Sequence, residues 1–392
     1  MINKIKSLSD KHLNEVIKIR RELHQSPELS FLEFNTSKYI QHFLKKNQID
    51  FQSGIVKTGI IATIKGNNPT SREVVLRADM DALPIQEENK CSYKSKNEGV
   101  MHACGHDVHS SSLMGAALIL NQLKEFFNGT IKLIFQPGEE KLPGGAKLML
   151  DEGVFDKSPS CCIAQHVYPD LPPGKVGFKS GLYMASTDEL HVKINGKGGH
   201  AALPHLINDP ILMSAQIINS LQQIISRCNK PDNPSVLSFG YISAKGATNV
   251  IPDYVELKGT FRTFDEKWRK KAHKKMKEIS ESICKGMGGS CDFNIKIGYP
   301  FLINDNDITY VSKVAAIEYL GKENVIDLDL RMTSEDFSYF TQVAPSCFYR
   351  LGTGNPNGKS NLHTSTFDID EKSLQISSGL MAYIAIKQLL SH

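Results

Sequence analysis

The chain has one tryptophan, no run near eighteen consecutive apolar residues, and no long block of one charge. Each absence excludes something. Without a long apolar run, no helix is expected to span a bilayer. A formal charge of +4 over 392 residues, with no basic block interleaved with aromatics, offers no footprint to a nucleic acid or a membrane surface. The opening Met1-Ile2-Asn3-Lys4-Ile5-Lys6 mixes charges and contains no apolar core, so no signal peptide is expected. The eight cysteines are scattered apart from Cys161-Cys162. No disulfide framework suggests itself, and a reducing cytoplasm is the expected compartment.

What is present is ordinary globular composition, 40% apolar and 22% charged. The length favours two domains. Leu13, Val16, Ile17 and Leu23 recur at helical spacing over 8–25, and a second helix is expected over 36–46. Apolar strands at 59–64, 74–80, 130–136 and 162–168 then alternate with helices over 107–124 and after Gly144. That alternation predicts an α/β fold, a mixed and mostly parallel sheet flanked by helices. From Gly181 the order becomes strand 188–195, helix 209–227, strands 235–243 and 254–264, helix 265–285 and strand 292–298. This β-α-β-β-α-β order is that of a ferredoxin-like α+β unit. After Pro300 the alternation resumes with helix 307–320, strands 325–330 and 346–351, and helix 370–389. The expected organisation is a discontinuous domain, 1–180 and 300–392, carrying an inserted one, 181–299.

The chemistry concentrates at His102-Ala103-Cys104-Gly105-His106-Asp107-Val108-His109. Gly105 lets the backbone turn so that Cys104 and His106 converge, and thiolate and neutral imidazole are preferred ligands of zinc and its neighbours. The strand over 74–80 leads into Asp79 and Asp81, and ligands of open α/β sheets bind beyond the carboxyl ends of strands. Strand 130–136 runs into Pro137-Gly138-Glu139-Glu140. Near a cation, one of these carboxylates can bind the metal while the other takes a proton from an acidified water. His166 ends strand 162–168, and His363 lies in a polar loop after Gly352-Thr353-Gly354. Alone, each of these residues reads as core, cap or surface. Together, Cys104, His106, Glu140, His166 and His363 fall at one edge of one sheet. Five ligands exceed the three of a single catalytic zinc, so a pair of divalent ions is expected.

Several stretches then carry a resemblance. They are Arg21-Glu22-Leu23-His24 with Pro27-Glu28-Leu29-Ser30, Arg77-Ala78-Asp79-Met80-Asp81-Ala82-Leu83, the Cys104 stretch, Phe135-Gln136-Pro137-Gly138-Glu139-Glu140, Gly196-Lys197-Gly198-Gly199-His200-Ala201-Ala202, Thr248-Asn249-Val250-Ile251-Pro252, Gly259-Thr260-Phe261-Arg262 and Ser334-Glu335-Asp336-Phe337. In this order they resemble the aminoacylase-type family of two-metal peptidases (peptidase family M20). The likeness is to its amidohydrolase branch of hippurate hydrolases, N-acyl-amino-acid amidohydrolases and auxin-conjugate hydrolases.

The resemblance implies a zinc-peptidase-like catalytic domain with two divalent ions per subunit, and an inserted lid that also forms a homodimer contact. Zinc or manganese is the expected metal, with nickel or cobalt serving related enzymes. By the resemblance Cys104, His106, Glu140, His166 and His363 are the metal ligands and Glu139 the general base. His200 matches a lid histidine that stabilises the oxyanion in a partner's site. Asn249 and Arg262 match positions near the substrate carboxylate, and Asp79 and Asp81 support the site. Two departures stand out. Gly138 replaces a usual alanine, which would loosen the loop aiming Glu139, and Thr364-Ser365 lacks a usual proline after the last histidine.

The expected reaction is cleavage of an N-acyl amino acid, of N-acetyl or N-benzoyl type, to a carboxylic acid and a free amino acid. One alternative is a dipeptidase or aminopeptidase, for which no acidic residue dedicated to a free α-amino group is visible. Another is a non-catalytic binder of acyl-amino acids, which would have no use for the base.

Overall fold

A computed structural model describes residues 1–354 and 361–391. The chain divides into two compact units. One comprises Met1–Tyr183, Ile303–Leu330 and Asp336–His392, and the other Met184–Leu302 with Arg331–Glu335. Residues 331–335 thus group with the second unit, whereas the strand–helix alternation had placed them in the first. The short stretch between Leu330 and Asp336 carries no periodic apolar pattern that could have marked this.

The first unit opens with α1 (Ile2–Gln25) and α2 (Phe34–Lys46), then β1 (Asp50–Ile55), β2 (Gly59–Lys65) and β3 (Glu73–Asp79). Next come α3 (His106–Gln122), β4 (Thr130–Gln136), α4 (Gly145–Asp151), β5 (Cys161–Tyr168), β6 (Val176–Phe178) and β7 (Gly181–Met184). α1 begins six residues before the expected start. β1 is mostly exposed, alternates poorly, and was not expected.

The second unit holds β8 (Asp188–Asn195), β9 (Gly199–His200), α5 (Pro210–Gln223), β10 (Ser235–Ser243), β11 (Val250–Ile251), β12 (Tyr254–Thr263), α6 (Glu266–Gly286) and β13 (Ser290–Ile297). Asp209 and Asp265 cap α5 and α6 with side-chain bonds to backbone N–H groups. The chain then runs through β14 (Leu302–Asn304), α7 (Asn306–Leu320), β15 (Val325–Asp327), α8 (Ser338–Thr341), β16 (Ser346–Gly352) and α9 (Ser373–Leu390).

The sheet of the first unit has the order β1-β2-β4-β3-β5-β16-β6-β15. Its centre is parallel: β3 pairs with β4 and β5, and β5 with β16. β1 with β2, β2 with β4, and β16 with β6 run antiparallel. α3 and α9 lie against β3 and β5, α2 against β1 and β2, and α4 against β4. α3 is buried on all sides from His106 to Leu120, so its apolar content comes from enclosure rather than from one inner face. The parallel register sets the carboxyl ends of β3, β4 and β5 side by side, with Asp79 level with Gln136. Asp79, Glu139, Glu140 and His166 all lie at or just past those ends.

The second unit is the four-stranded antiparallel sheet β10-β12-β8-β13 with α5 and α6, the ferredoxin-like order. Leu190, Val192 and Ile194 alternate inward from β8 and join Val255, Leu257 and Phe261 of β12 and Met213, Ile217 and Met276 of the helices in one core.

Candidate metal centre

Gly105 caps the N-terminus of α3 at φ +82°, and a Cβ there would stand 2.6 Å from Val167. Only glycine fits, because the left-handed turn and the close approach of β5 coincide. The turn leaves Cys104 and His106 buried and near each other. His166 enters from the end of β5, with Nε2 3.5 Å from Cys104 Sγ. His363 enters from the loop before α9, with Nε2 3.4 Å from the same sulfur. His363 is itself left-handed, at φ +61°, and its N–H is bonded to Ala103 O at 2.8 Å. Glu140 closes the group: its Oε1 lies 4.0 Å from His106 Nε2 and 3.3 Å from His363 Nε2.

Cys104, His106 and His166 thus offer donor atoms within 4.8 Å of one another, as do Cys104, Glu140 and His363. The sulfur belongs to both triads. Glu139 and Glu140 form a further group with His106. Glu139 is buried, and its Oε1 accepts the N–H of Asp336 at 3.4 Å.

The donor set fits a pair of divalent cations. Among the described residues His106 Nε2 and Glu140 Oε1 are buried without a hydrogen-bond partner, although they face each other. Polar atoms turned inward and left unpaired are costly unless something satisfies them. The outer ring nitrogens are already engaged, as ligating imidazoles require. His106 Nδ1 lies 3.1 Å from Asp81 Oδ1, and His166 Nδ1 donates to Val167 O at 2.8 Å. Asp81 Oδ2 also accepts the Glu140 N–H at 2.9 Å and the Ser30 hydroxyl at 2.6 Å.

The electrostatics agree. Burial drives the Cys104 thiol well above its ordinary range, and Glu140, Glu139 and Asp79 add to this. A sulfur so placed loses its proton only to a cation. Burial, then Arg350 and His109, hold His166 well below the usual histidine range, which leaves the neutral ligand form. Burial opposes charge on His106, but Asp79, the bond to Asp81 and Glu140 outweigh it and lift the ring to about 10. Carboxylates in this excess ask for positive charge.

Asp79 braces rather than lines the cluster. It accepts from His109 Nδ1 at 2.6 Å and from Arg77 at 2.6 Å. The other nitrogen of His109 accepts the N–H of Val167, so neither ring nitrogen is free for a metal. His102 is buried too, with both nitrogens without partners among the described residues. Arg77 extends the bracing to Gln136 at 2.9 Å and Asp336 at 2.8 Å. His109, Arg77, Asp336 and Ser30 thus join the site as bracing residues that the candidate set did not include. Their only signal was membership of the stretches quoted above.

Gly138 stands at φ +60°, where a Cβ would come within 2.4 Å of the Phe31 ring. Its N–H is held by Glu33 at 2.9 Å. The expected loosening of this loop is therefore not found: the glycine is needed for Phe31 to cover the loop, and the loop is pinned.

In the second unit, His200 pairs with Val250 across β9 and β11, and Asn249 O accepts the N–H of Ala201 at 3.0 Å. That ladder brings His200 and Asn249 together on an exposed surface. Arg262, on β12, donates through Nη1 to Met332 O at 3.1 Å and to Ser334 Oγ at 3.3 Å.

Comparison with known proteins agrees with this geometry. The chain is 38% identical to N-acetylcysteine deacetylase of Bacillus subtilis over 95% of its own length and 96% of the relative's. It is 43% identical to N-acyl-L-amino acid amidohydrolase of Geobacillus stearothermophilus, over 76% of this chain and 80% of that one. The crystal structure of a dinuclear metal binding peptidase from the M20 family of Bacillus subtilis superposes with a TM-score of 0.83 at 35% identity, covering 98% of this chain and 100% of that one. Residues 75–387 match the model of peptidase family M20/M25/M40, and the chain belongs to that family.

Proposed function

We propose that this protein hydrolyses the amide bond of N-acyl amino acids, of N-acetyl or N-benzoyl type, to a carboxylic acid and a free amino acid. Cys104, His106, Glu140, His166 and His363 hold two divalent ions. The observation that carries the reading is Glu139, a buried carboxylate adjacent in sequence to Glu140 and grouped with it beside His106. A binding protein would have no use for it. The relatives named as a deacetylase of N-acetylcysteine and an amidohydrolase of N-acyl amino acids support the substrate class.

The two ions, when bound, supply Lewis acidity toward the acyl carbonyl and bring the pKa of the attacking water down toward about 7. Glu139 takes a proton from that water and passes it to the leaving nitrogen as the carbon–nitrogen bond breaks. His200 donates to the oxygen that gains charge. Arg262, its head steadied by Met332 and Ser334, grips the substrate carboxylate through its fork together with Asn249.

A thiolate among the ligands favours zinc, with manganese as the second choice. The second unit acts as lid and as dimer contact. Its edge strand β10 and the exposed Leu203, Leu206, Leu212, Tyr241 and Ile242 support that role. Eight free cysteines fit a reducing cytoplasm.

The deciding experiment assays N-acetyl, N-benzoyl and longer N-acyl amino acids beside free dipeptides, on enzyme stripped with chelator and restored with single ions. Turnover of acylated substrates that disappears with the metal supports the reading. Faster turnover of free dipeptides moves it to a peptidase, and metal-independent binding without turnover moves it to a binder.

A further inference from the structure

Glu33 is fully buried at the start of α2, yet its side chain does not cap that helix. Capping falls to Glu28, which accepts the N–H groups of Asn35 at 2.9 Å and Thr36 at 2.8 Å. The Glu33 carboxylate turns elsewhere. Its Oε1 accepts the N–H of Phe31 at 2.8 Å and that of Gly138 at 2.9 Å, while Oε2 accepts the Thr58 hydroxyl at 2.7 Å. Burial and then the charge of Asp81 lift its carboxyl to about 7, and only hydrogen bonds pull the other way. A carboxyl kept in such a place is costly, so its role is to be sought in what it holds.

What it holds is the peptide just before Glu139. The loop is tied on its far side as well, where the Glu140 N–H is bonded to Asp81. Phe31, itself left-handed at φ +67°, sets its ring over Gly138. Glu139 and Glu140 are chemically identical neighbours. Which of them ligates and which serves as the base is decided by the direction of the backbone between these two ties.

We propose that Glu33 is a positioning residue for the Glu139 side chain, fixing the Gly138 peptide so that Glu139 serves as the base while Glu140 ligates. The inference rests on Glu139 being the base. It extends the site to a turn 105 residues upstream of Gly138, with no ligand of its own.

The test uses the full chain carrying Glu33→Ala or Glu33→Gln, with Glu139→Gln in parallel. Glutamine keeps a carbonyl oxygen for both N–H groups and gives its amide hydrogen to Thr58 Oγ, so it is the conservative variant. The readouts are kcat and KM on an N-acyl amino acid, and zinc stoichiometry and affinity of the stripped protein. Glu33→Ala should lower kcat on the order of tenfold to a hundredfold, as small misplacements of a reacting group do. KM and zinc binding should stay within about threefold, and Glu33→Gln should keep kcat within about threefold. The proposal is overturned if kcat of Glu33→Ala stays within about twofold, if glutamine loses as much as alanine, or if zinc affinity falls in step with kcat. Should the alanine variant not fold, Glu33→Asp, one methylene short of Gly138, takes its place under the same criteria. An inactive Glu139→Gln beside an unaffected Glu33 variant sinks the positioning role alone. An active Glu139→Gln sinks the base assignment and this inference together.

Discussion

His363 Nε2 lies 3.4 Å from Cys104 Sγ across 259 positions of sequence. The contact is prepared by the backbone, since the His363 N–H is already bonded to Ala103 O. On the other side of the sulfur, His166 Nε2 stands 3.5 Å away. One thiol therefore joins two sets of donors.

Because Cys104 is shared by both triads, Cys104→Ser should weaken both ions rather than one. Zinc titration of the stripped protein is expected to show each affinity lowered by at least about tenfold, with activity falling in parallel. Two unchanged binding steps would remove the sulfur from the ligand set.

Asp81 is expected to act through tautomer control. Its Oδ2 accepts from Ser30 and from the Glu140 N–H. In Asp81→Asn the amide oxygen must therefore stay on that side, and the NH2 group faces His106 Nδ1. The ring nitrogen there has to accept, which moves the ring proton to Nε2, the atom that faces Glu140. Metal affinity should fall by about 10- to 100-fold, the usual cost of losing such a partner. Equilibrium dialysis against zinc, with circular dichroism to show an intact fold, checks it.

Gly138→Ala, the residue that the family resemblance implies at this position, should be harmful here. The new Cβ meets the Phe31 ring at a left-handed φ, and the strain and overpacking together cost about 1–3 kcal/mol. Thermal unfolding of the single variant and of the pair with Phe31→Ala separates the two contributions. The pair should recover the steric part and keep the backbone part.

Acid stability of the second unit should depend on Asp188. This buried carboxylate accepts from Arg269 through both oxygens, at 2.6 and 2.9 Å, and from His273 at 2.6 Å. Burial would raise its pKa, but the His273 and Arg269 bonds outweigh burial and hold it below the ordinary 3.8. A carboxyl lowered in the folded state stabilises above its unfolded value and loses that contribution as pH falls through the folded one. The loss is thus expected below 3.8. Asp188→Asn removes the buried carboxylate partner of Arg269, which keeps Glu266 at 3.1 Å, and should cost about 1.5–3 kcal/mol near neutrality. Its stability should also be flatter with pH across the acid range than that of the wild type, measured by denaturant titration at several pH values.

Much of the architecture was legible from local pattern. β8 alternates so regularly that the strand over 188–195 coincides with Asp188–Asn195, and 235–243 with Ser235–Ser243. The start of α3 was marked by Gly105, whose left-handed turn no other residue could make beside Val167. Exposed β1 was not legible, because a strand with little inward face has no period to read. Residues 331–335 also escaped, since nothing in Arg331-Met332-Thr333-Ser334-Glu335 says which unit they join.

The amino-acid sequence by itself determined the donors: a thiol, imidazoles and paired carboxylates placed after strands that end at one edge. Side-chain chemistry and strand periodicity are local properties, carried by the residue and its neighbours. Only the tertiary structure decided the bracing. It gave His109 to Asp79 and Val167, and turned Glu33 away from its own helix toward Gly138. Those are hydrogen bonds between groups far apart in the chain, and each is chosen by which backbone N–H the packed fold leaves within reach.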